Sequence, residues 1–304
     1  MTAPPAAALA GAIPDEAALV ARLREHDYLA GPGLATALFL ALRLPQPLLL
    51  EGEAGVGKTE AARALATALG TPLIRLQCYE GLDASEALYE WNYPRQLLRI
   101  RLAEAAGDTL TEDDLFARDL LLQRPVLAAL QHPGPLPAVL LIDELDRAYH
   151  DFEAFLLEVL ADAAVTIPEL GTVRAQVPPA VIVTSNRTRD LHDALKRRCL
   201  YHWIDYPDAT LEAEIVRRRV AGAAPELADD VVRALGRLRA ADVQKPPGIA
   251  EGVDWVGALS LLGARRLDPE TADRTLGAVL KYREDQELVR AQGLATLVGG
   301  APRT

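Results

Sequence analysis

Residues 52–59 read Gly52-Glu53-Ala54-Gly55-Val56-Gly57-Lys58-Thr59, a glycine, four residues, then Gly-Lys-Thr. This is the P-loop pattern, and each residue type has a physical reason. Glycines let the backbone wrap an anion without a Cβ in the way. A helix starting here aims free N–H groups and the positive end of its dipole at that anion. Lys58 adds a point charge suited to β- and γ-phosphates, and Thr59 offers a hydroxyl to Mg²⁺. Lys58 is also one of only four lysines among 32 basic residues, so its position is informative.

Three further places carry chemistry. Val139-Leu140-Leu141-Ile142-Asp143-Glu144 is an apolar run ending in two carboxylates. Asp143 can hold Mg²⁺ through its waters, and Glu144 beside it can polarise a water for attack on a γ-phosphate. Many strands end in Asp-Glu, and it is the loop at 52–59 that gives the pair this meaning. Ala180-Val181-Ile182-Val183-Thr184-Ser185-Asn186 ends in an amide that can orient the attacking water. Taken alone, a strand-terminal turn Asn explains Asn186 more readily. Arg197 and Arg198, in Ala194-Leu195-Lys196-Arg197-Arg198-Cys199, are of the type that neutralises γ-phosphate charge across a subunit boundary. Taken alone, a solvated basic turn explains them more readily.

The elements around these residues alternate. Leu48–Leu50, Leu73–Leu76, Val139–Ile142, Val181–Val183 and Tyr201–Ile204 are short apolar runs separated mostly by helical patterns. That predicts an α/β fold with a parallel sheet covered on both faces. Asp15–Arg24 and Gly33–Arg43 read as helices ahead of it. Residues 1–14 are rich in Ala and Pro and read as a frayed, flexible tail. Past Pro207 strand signals stop. The expected organisation is a tail (1–14), an α/β nucleotide-binding domain (15–207) and a small all-α lid domain (208–304), with ATP between the last two.

Composition narrows the function. The 304 residues hold 32 Lys+Arg and 43 Asp+Glu, a formal charge of −11, which argues against a passive nucleic-acid coat. The longest strongly apolar stretch, Leu34–Leu42, is too short for a membrane span of roughly 20 residues. The start lacks the early positive charge of a signal peptide. Two cysteines, Cys78 and Cys199, make no disulfide framework and read as small buried hydrophobes. Together these point to a cytoplasmic protein. The five histidines show no ligand spacing, so no metal beyond Mg²⁺ with nucleotide is expected.

In this order, from about Ala30 to Gly293, the elements resemble the AAA+ ATPases. Gly52–Thr59 looks like Walker A, Asp143 and Glu144 like Walker B, and Asn186 like sensor 1. Arg198 looks like the arginine finger, with Arg197 as its competitor. Asp143-Glu144-Leu145-Asp146-Arg147-Ala148 is similar to the Asp-Glu-Ile-Asn-Arg-Ala tract of the MoxR branch. Within the branch the chain most resembles the accessory ATPases of molybdenum-containing carbon monoxide dehydrogenase, the CoxD type. That likeness rests on Ala194–Trp203, on Gly248-Ile249-Ala250-Glu251 with Asp254-Trp255, and on Leu280–Asp285.

The resemblance implies a hexameric ring that hydrolyses ATP. It also implies a partner with a von Willebrand factor A domain and a client metalloenzyme matured at its metal site. One departure stands out: the stretch matching the sensor 2 helix start, Gly248–Trp255, has no Arg. Arg265 and Arg266 lie too far along to replace it.

Lys58 and Asp143 are 85 residues apart, which leaves room for an insertion. Tyr79, Tyr89, Trp91 and Tyr93 cluster there. Tyr89–Pro94 is expected to contact a substrate protein through its rings, unless those rings anchor the insert to its own core. Thr166–Val173 reads as a hairpin with a Gly-containing turn, and Arg217-Arg218-Arg219 as a solvated helix face. Two other functions share parts of the pattern. A P-loop small-molecule kinase needs neither Asn186 nor a finger in trans, and a nucleic-acid-dependent AAA+ motor fits poorly with the −11 charge.

Overall fold

The computed structural model describes residues 5–299. The chain forms two compact units. One takes in the chain up to Leu23, Pro32–Glu51 and Thr59–Trp203. The other takes in Arg24–Gly31, Gly52–Lys58 and the chain from Ile204 onward.

The first unit opens with three helices, α1 (Pro5–Ala12), α2 (Glu16–Glu25) and α3 (Pro32–Arg43). Asp15 Oδ1 accepts the Ala18 amide at 2.8 Å and so starts α2. The Ala/Pro-rich segment expected as a flexible tail is helical over Pro5–Ala12, and Leu9 and Ile13 are buried. Burial of these two apolar side chains outweighs the composition that suggested fraying. The rest of that expected tail, residues 1–4, lies outside the described residues.

The centre is a five-stranded sheet. Its strands are β1 (Leu48–Gly52), β2 (Leu73–Gln77), β5 (Val139–Asp143), β8 (Ala180–Ser185) and β9 (Leu200–Ile204), in the order β2-β5-β8-β1-β9. The pairs β2/β5, β5/β8 and β8/β1 are parallel, as the apolar runs predict. Every residue of β1, β5 and β8 is buried. Such strands lack polar alternation because helices cover both faces. Those helices include α4 (Lys58–Leu69), α8 (Pro125–Leu130) and α9 (His150–Asp162).

Between β2 and α8 the chain inserts α5 (Ala84–Leu88), β3 (Tyr89–Trp91), α6 (Tyr93–Ala106), α7 (Glu112–Leu115) and β4 (Leu121–Gln123), with β3 and β4 antiparallel. Trp91 is buried, edge-on to Phe116 with ring centroids 5.1 Å apart, and Tyr89 packs beside it at 6.3 Å. These two rings therefore anchor the insert to its own core rather than face a substrate, whereas Tyr93 is exposed. The hairpin falls where the sequence placed it, as antiparallel β6 (Ala164–Ile167) and β7 (Gly171–Arg174). A short helix, α10 (Asp193–Lys196), precedes β9.

The second unit is helical: α11 (Ala209–Arg219), α12 (Pro225–Ala240), α13 (Ile249–Leu261), α14 (Pro269–Val279), α15 (Arg283–Gln292) and α16 (Leu294–Val298). Its core centres on Trp255, fully buried, whose indole N–H donates to Thr275 Oγ1 at 2.7 Å. Arg239 makes a fork–fork pair with buried Glu212 at 2.6 and 2.7 Å and stacks on Tyr206. On the helix carrying Arg217-Arg218-Arg219, Arg217 pairs with Asp229 and Arg218 with Glu214. Lys281 caps α14 by donating to the carbonyls of Gly277 and Ala278. Among the described residues no helix is long and apolar enough to cross a membrane.

Candidate functional site

Three neighbouring parallel strands, β5, β8 and β1, end at the same edge of the sheet. In α/β sheets that carboxyl edge is where ligands bind. The sequence leaves β1 into residues 52–58, leaves β5 at Asp143-Glu144 and leaves β8 at Ser185-Asn186. Strand order alone thus gathers the ends that carry chemistry.

Residues 52–58 fold as a loop of the kind the glycines predict. Gly55 and Gly57 have φ of +80° and +98°, values that side chains with a Cβ adopt only under strain. Lys58, 7% exposed, folds back so that Nζ donates to the Gly52 and Glu53 carbonyls, both at 2.7 Å. The loop also meets the start of α13. Ile249 N donates to the Gly55 carbonyl at 3.0 Å, and Gly248 lies so close that a Cβ there would stand 2.6 Å from Gly55 Cα. Glu251 closes the helix start, its Oε2 accepting the Gly248 amide at 3.0 Å. The stretch that lacks the sensor 2 Arg therefore touches the loop through backbone. Arg266 is committed elsewhere, to Asp230 at 2.6 Å.

The sheet-edge residues form one hydrogen-bonded group. Asp143, 2% exposed, accepts at Oδ1 from Thr59 Oγ1 (3.0 Å) and Thr184 Oγ1 (2.6 Å). At Oδ2 it accepts from Arg75 Nε (2.9 Å) and Nη2 (2.5 Å). Glu144 turns through a left-handed backbone, φ 55° and ψ 50°. Its amide donates to Thr184 Oγ1 at 2.9 Å, and its Oε2 accepts from Gln77 Nε2 (3.1 Å) and Arg147 Nε (3.0 Å). Arg75 Nη2 also donates to Gln77 Oε1. Asp146, buried, holds the chain beyond β8 by accepting the Thr188 amide (2.9 Å) and hydroxyl (2.7 Å). Cys78, next to the carboxylates, has its thiol pushed up to about 12, first by burial and then by the charges of Asp143, Asp146 and Glu144. It is a neutral packing group. Burial raises Cys199 to about 12 as well.

Thr59 and Asp143 suit a magnesium ion. A hydroxyl and a carboxylate 3.0 Å apart are the hard oxygen donors such an ion takes. Asn186 is half-buried at the end of β8, and among the described residues its amide takes no hydrogen bond. Arg197 and Arg198 are both exposed. Arg198 Nη1 donates to the Leu157 carbonyl at 2.9 Å, and both arginines line a small cavity of 230 Å³ with Pro45, Leu160 and Cys199.

Arg75, Gln77 and Thr184 have no role in the sequence reading. A charged residue inside the apolar run 73–76 is the one signal that could have found Arg75.

A family model described as "AAA domain (dynein-related subfamily)" matches residues 47–199. Protein NorQ of Paracoccus denitrificans is 26% identical over 200 residues, which cover 64% of this chain and 64% of NorQ. Gas vesicle ATPase GvpN1 of Halobacterium salinarum is 26% identical over 213 residues, covering 65% of this chain and 58% of GvpN1. The chain thus spans less than two thirds of the length of these relatives. Among solved structures, a mutant of RuvB from Thermotoga maritima aligns at TM-score 0.48 and 16% identity, covering 88% of this chain and 81% of that one.

Proposed function

The chain belongs to the AAA domain family, in its dynein-related subfamily; from that premise we propose that it is an AAA+ ATPase of the MoxR-like group that binds ATP with Mg²⁺, hydrolyses it, and uses the cycle to remodel a client protein. The single observation that carries this is the Thr59–Asp143 hydrogen bond, with Glu144 next in the chain and Thr184 bonded to both. It puts a hydroxyl, a buried carboxylate and a second carboxylate at the end of one strand, beside the helix that begins with Lys58.

In this proposal the loop amides and Lys58 bind the phosphates, and Thr59 and Asp143 hold Mg²⁺. The ion, when bound, would neutralise charge on the β- and γ-phosphate oxygens. Glu144 takes the proton of the attacking water, and Asn186 orients that water. Arg198 of a neighbouring copy, or Arg197, supplies the positive charge that the transition state needs. Residues 15–207 form the nucleotide domain and 208–304 the lid.

The finer proposal follows the family likeness. The copies form a ring of six in the cytoplasm and work with a partner carrying a von Willebrand factor A domain. The client is a molybdenum hydroxylase of the carbon monoxide dehydrogenase type, matured at its metal site. Ala194–Trp203 and Leu280–Asp285 support that client. Mg²⁺-dependent phosphate release from ATP, abolished in Lys58→Ala together with nucleotide binding, tests the enzymatic part. A wild-type protein that binds no nucleotide contradicts it.

A further inference from the structure

β2 is an edge strand, and in register Arg75 stands opposite Leu141 while Gln77 stands opposite Asp143. The Arg75 guanidinium reaches along the strand and places Nε and Nη2 on the same oxygen, Asp143 Oδ2, at 2.9 and 2.5 Å. Gln77 Oε1 accepts from Nη2 and steadies the fork. The other carboxylate oxygen is met by two hydroxyls, which bring dipoles but no charge. Asp143 is 2% exposed, too deep for water to compensate its charge, while the Arg75 side chain is 48% exposed. Burying a carboxylate is costly unless it is paired and hydrogen-bonded.

We propose that Arg75 is the resident counter-charge of the Mg²⁺-binding carboxylate and thereby sets how much Mg²⁺ nucleotide binding requires. This rests on the assignment of Thr59 and Asp143 to the metal. The guanidinium and the ion neutralise the same group, so each reduces what the other gains. With Arg75 on Oδ2, Asp143 is paired before any metal arrives and Mg²⁺ adds only part of its attraction. Without Arg75, a larger share of the site's stability passes to the ion, and by linkage the protein becomes more dependent on it. Arg75 is a positioning residue in this scheme, acting through Asp143 rather than touching phosphate.

The test compares the full-length wild type with Arg75→Gln, which removes the charge, and Arg75→Lys, which keeps it. Two readouts besides turnover are used: thermal unfolding with and without Mg²⁺ alone, and the Mg²⁺ midpoint for binding a fluorescent ATP analogue. Arg75→Gln should unfold at lower temperature without metal and gain more from Mg²⁺ than the wild type does. Its Mg²⁺ midpoint should fall by about fivefold or more, with Arg75→Lys close to wild type. An Arg75→Gln protein with an unchanged or raised midpoint and no extra stabilisation by Mg²⁺ overturns the proposal. Should Arg75→Gln fail to fold in metal-free buffer, recovery with Mg²⁺ supports it, and failure to recover overturns it. A wild type that binds no nucleotide at any Mg²⁺ concentration contradicts the ATPase assignment instead. The Mg²⁺-only unfolding arm then still decides the role of Arg75.

Discussion

Thr184 and Asp143 share a 2.6 Å hydrogen bond at the carboxyl edge of the sheet, and the same threonine oxygen accepts the Glu144 amide at 2.9 Å. One buried hydroxyl therefore fixes the carboxylate that suits the metal and the backbone turn that presents Glu144. That turn is left-handed, a conformation a glutamate adopts at a cost of order 1–3 kcal/mol unless its surroundings hold it. β8 supplies the hold because it runs parallel and adjacent to β5.

Replacing the hydroxyl tests this. Thr184→Val keeps shape and removes both hydrogen bonds. It should destabilise the protein by about 1–3 kcal/mol, the cost of stranding buried polar partners. It should also slow turnover more than it weakens nucleotide binding, whereas Thr184→Ser restores most of both. Chemical denaturation and steady-state kinetics check the two effects.

The glycine contact between the loop and α13 makes a second prediction. A Cβ at Gly248 would lie 2.6 Å from Gly55 Cα and 2.8 Å from the Gly55 carbonyl, both backbone atoms that cannot swing aside. Gly248→Ala should cost about 1–3 kcal/mol and weaken nucleotide binding, because loop 52–58, which we propose to bind the phosphates, must move. Gly257→Ala, on the same helix with nothing within 4 Å of its Cβ, should instead stabilise by up to about 1 kcal/mol. Thermal unfolding of the two variants side by side checks this.

The paired arginines separate by kinetics. Arg198→Ala should keep nucleotide affinity within about twofold and lose turnover by roughly 10³-fold, the scale of a charge supplied in trans. Its bond to the Leu157 carbonyl leaves the guanidinium exposed, so the substitution should cost little stability. Full turnover in Arg198→Ala with an inactive Arg197→Ala moves the role one residue back.

Much of this was legible in the sequence where one interaction decides the outcome. Unbroken apolar runs at 48–50, 139–142 and 181–183 had to be strands buried on both faces, and they are the three adjacent strands that gather the site. Gly55 and Gly57 adopt positive φ, as a phosphate loop needs. What stayed hidden depends on partners distant in sequence. Arg75 and Gln77 break the apolar pattern of β2, yet only the pairing of β2 with β5 brings their side chains within reach of Asp143 and Glu144. Thr184 reads as an ordinary strand residue until β5 is placed beside it. Trp91 reads equally well as a grip or an anchor, and its packing on Phe116, 25 positions away, decides for the anchor. Residues 5–13 show the limit of composition, since Ala and Pro suggest fraying while Leu9 and Ile13 find a core.

The central claim, that this sheet edge hydrolyses ATP with Glu144 as its base, is tested most directly by Glu144→Gln. The amide keeps the size of the side chain but cannot take a proton. Binding of a fluorescent ATP analogue and phosphate release should be measured on the same preparation. Nucleotide binding should match the wild type while phosphate release falls by about 10²-fold or more, the usual contribution of a general base. Turnover near the wild-type rate in Glu144→Gln would contradict the account.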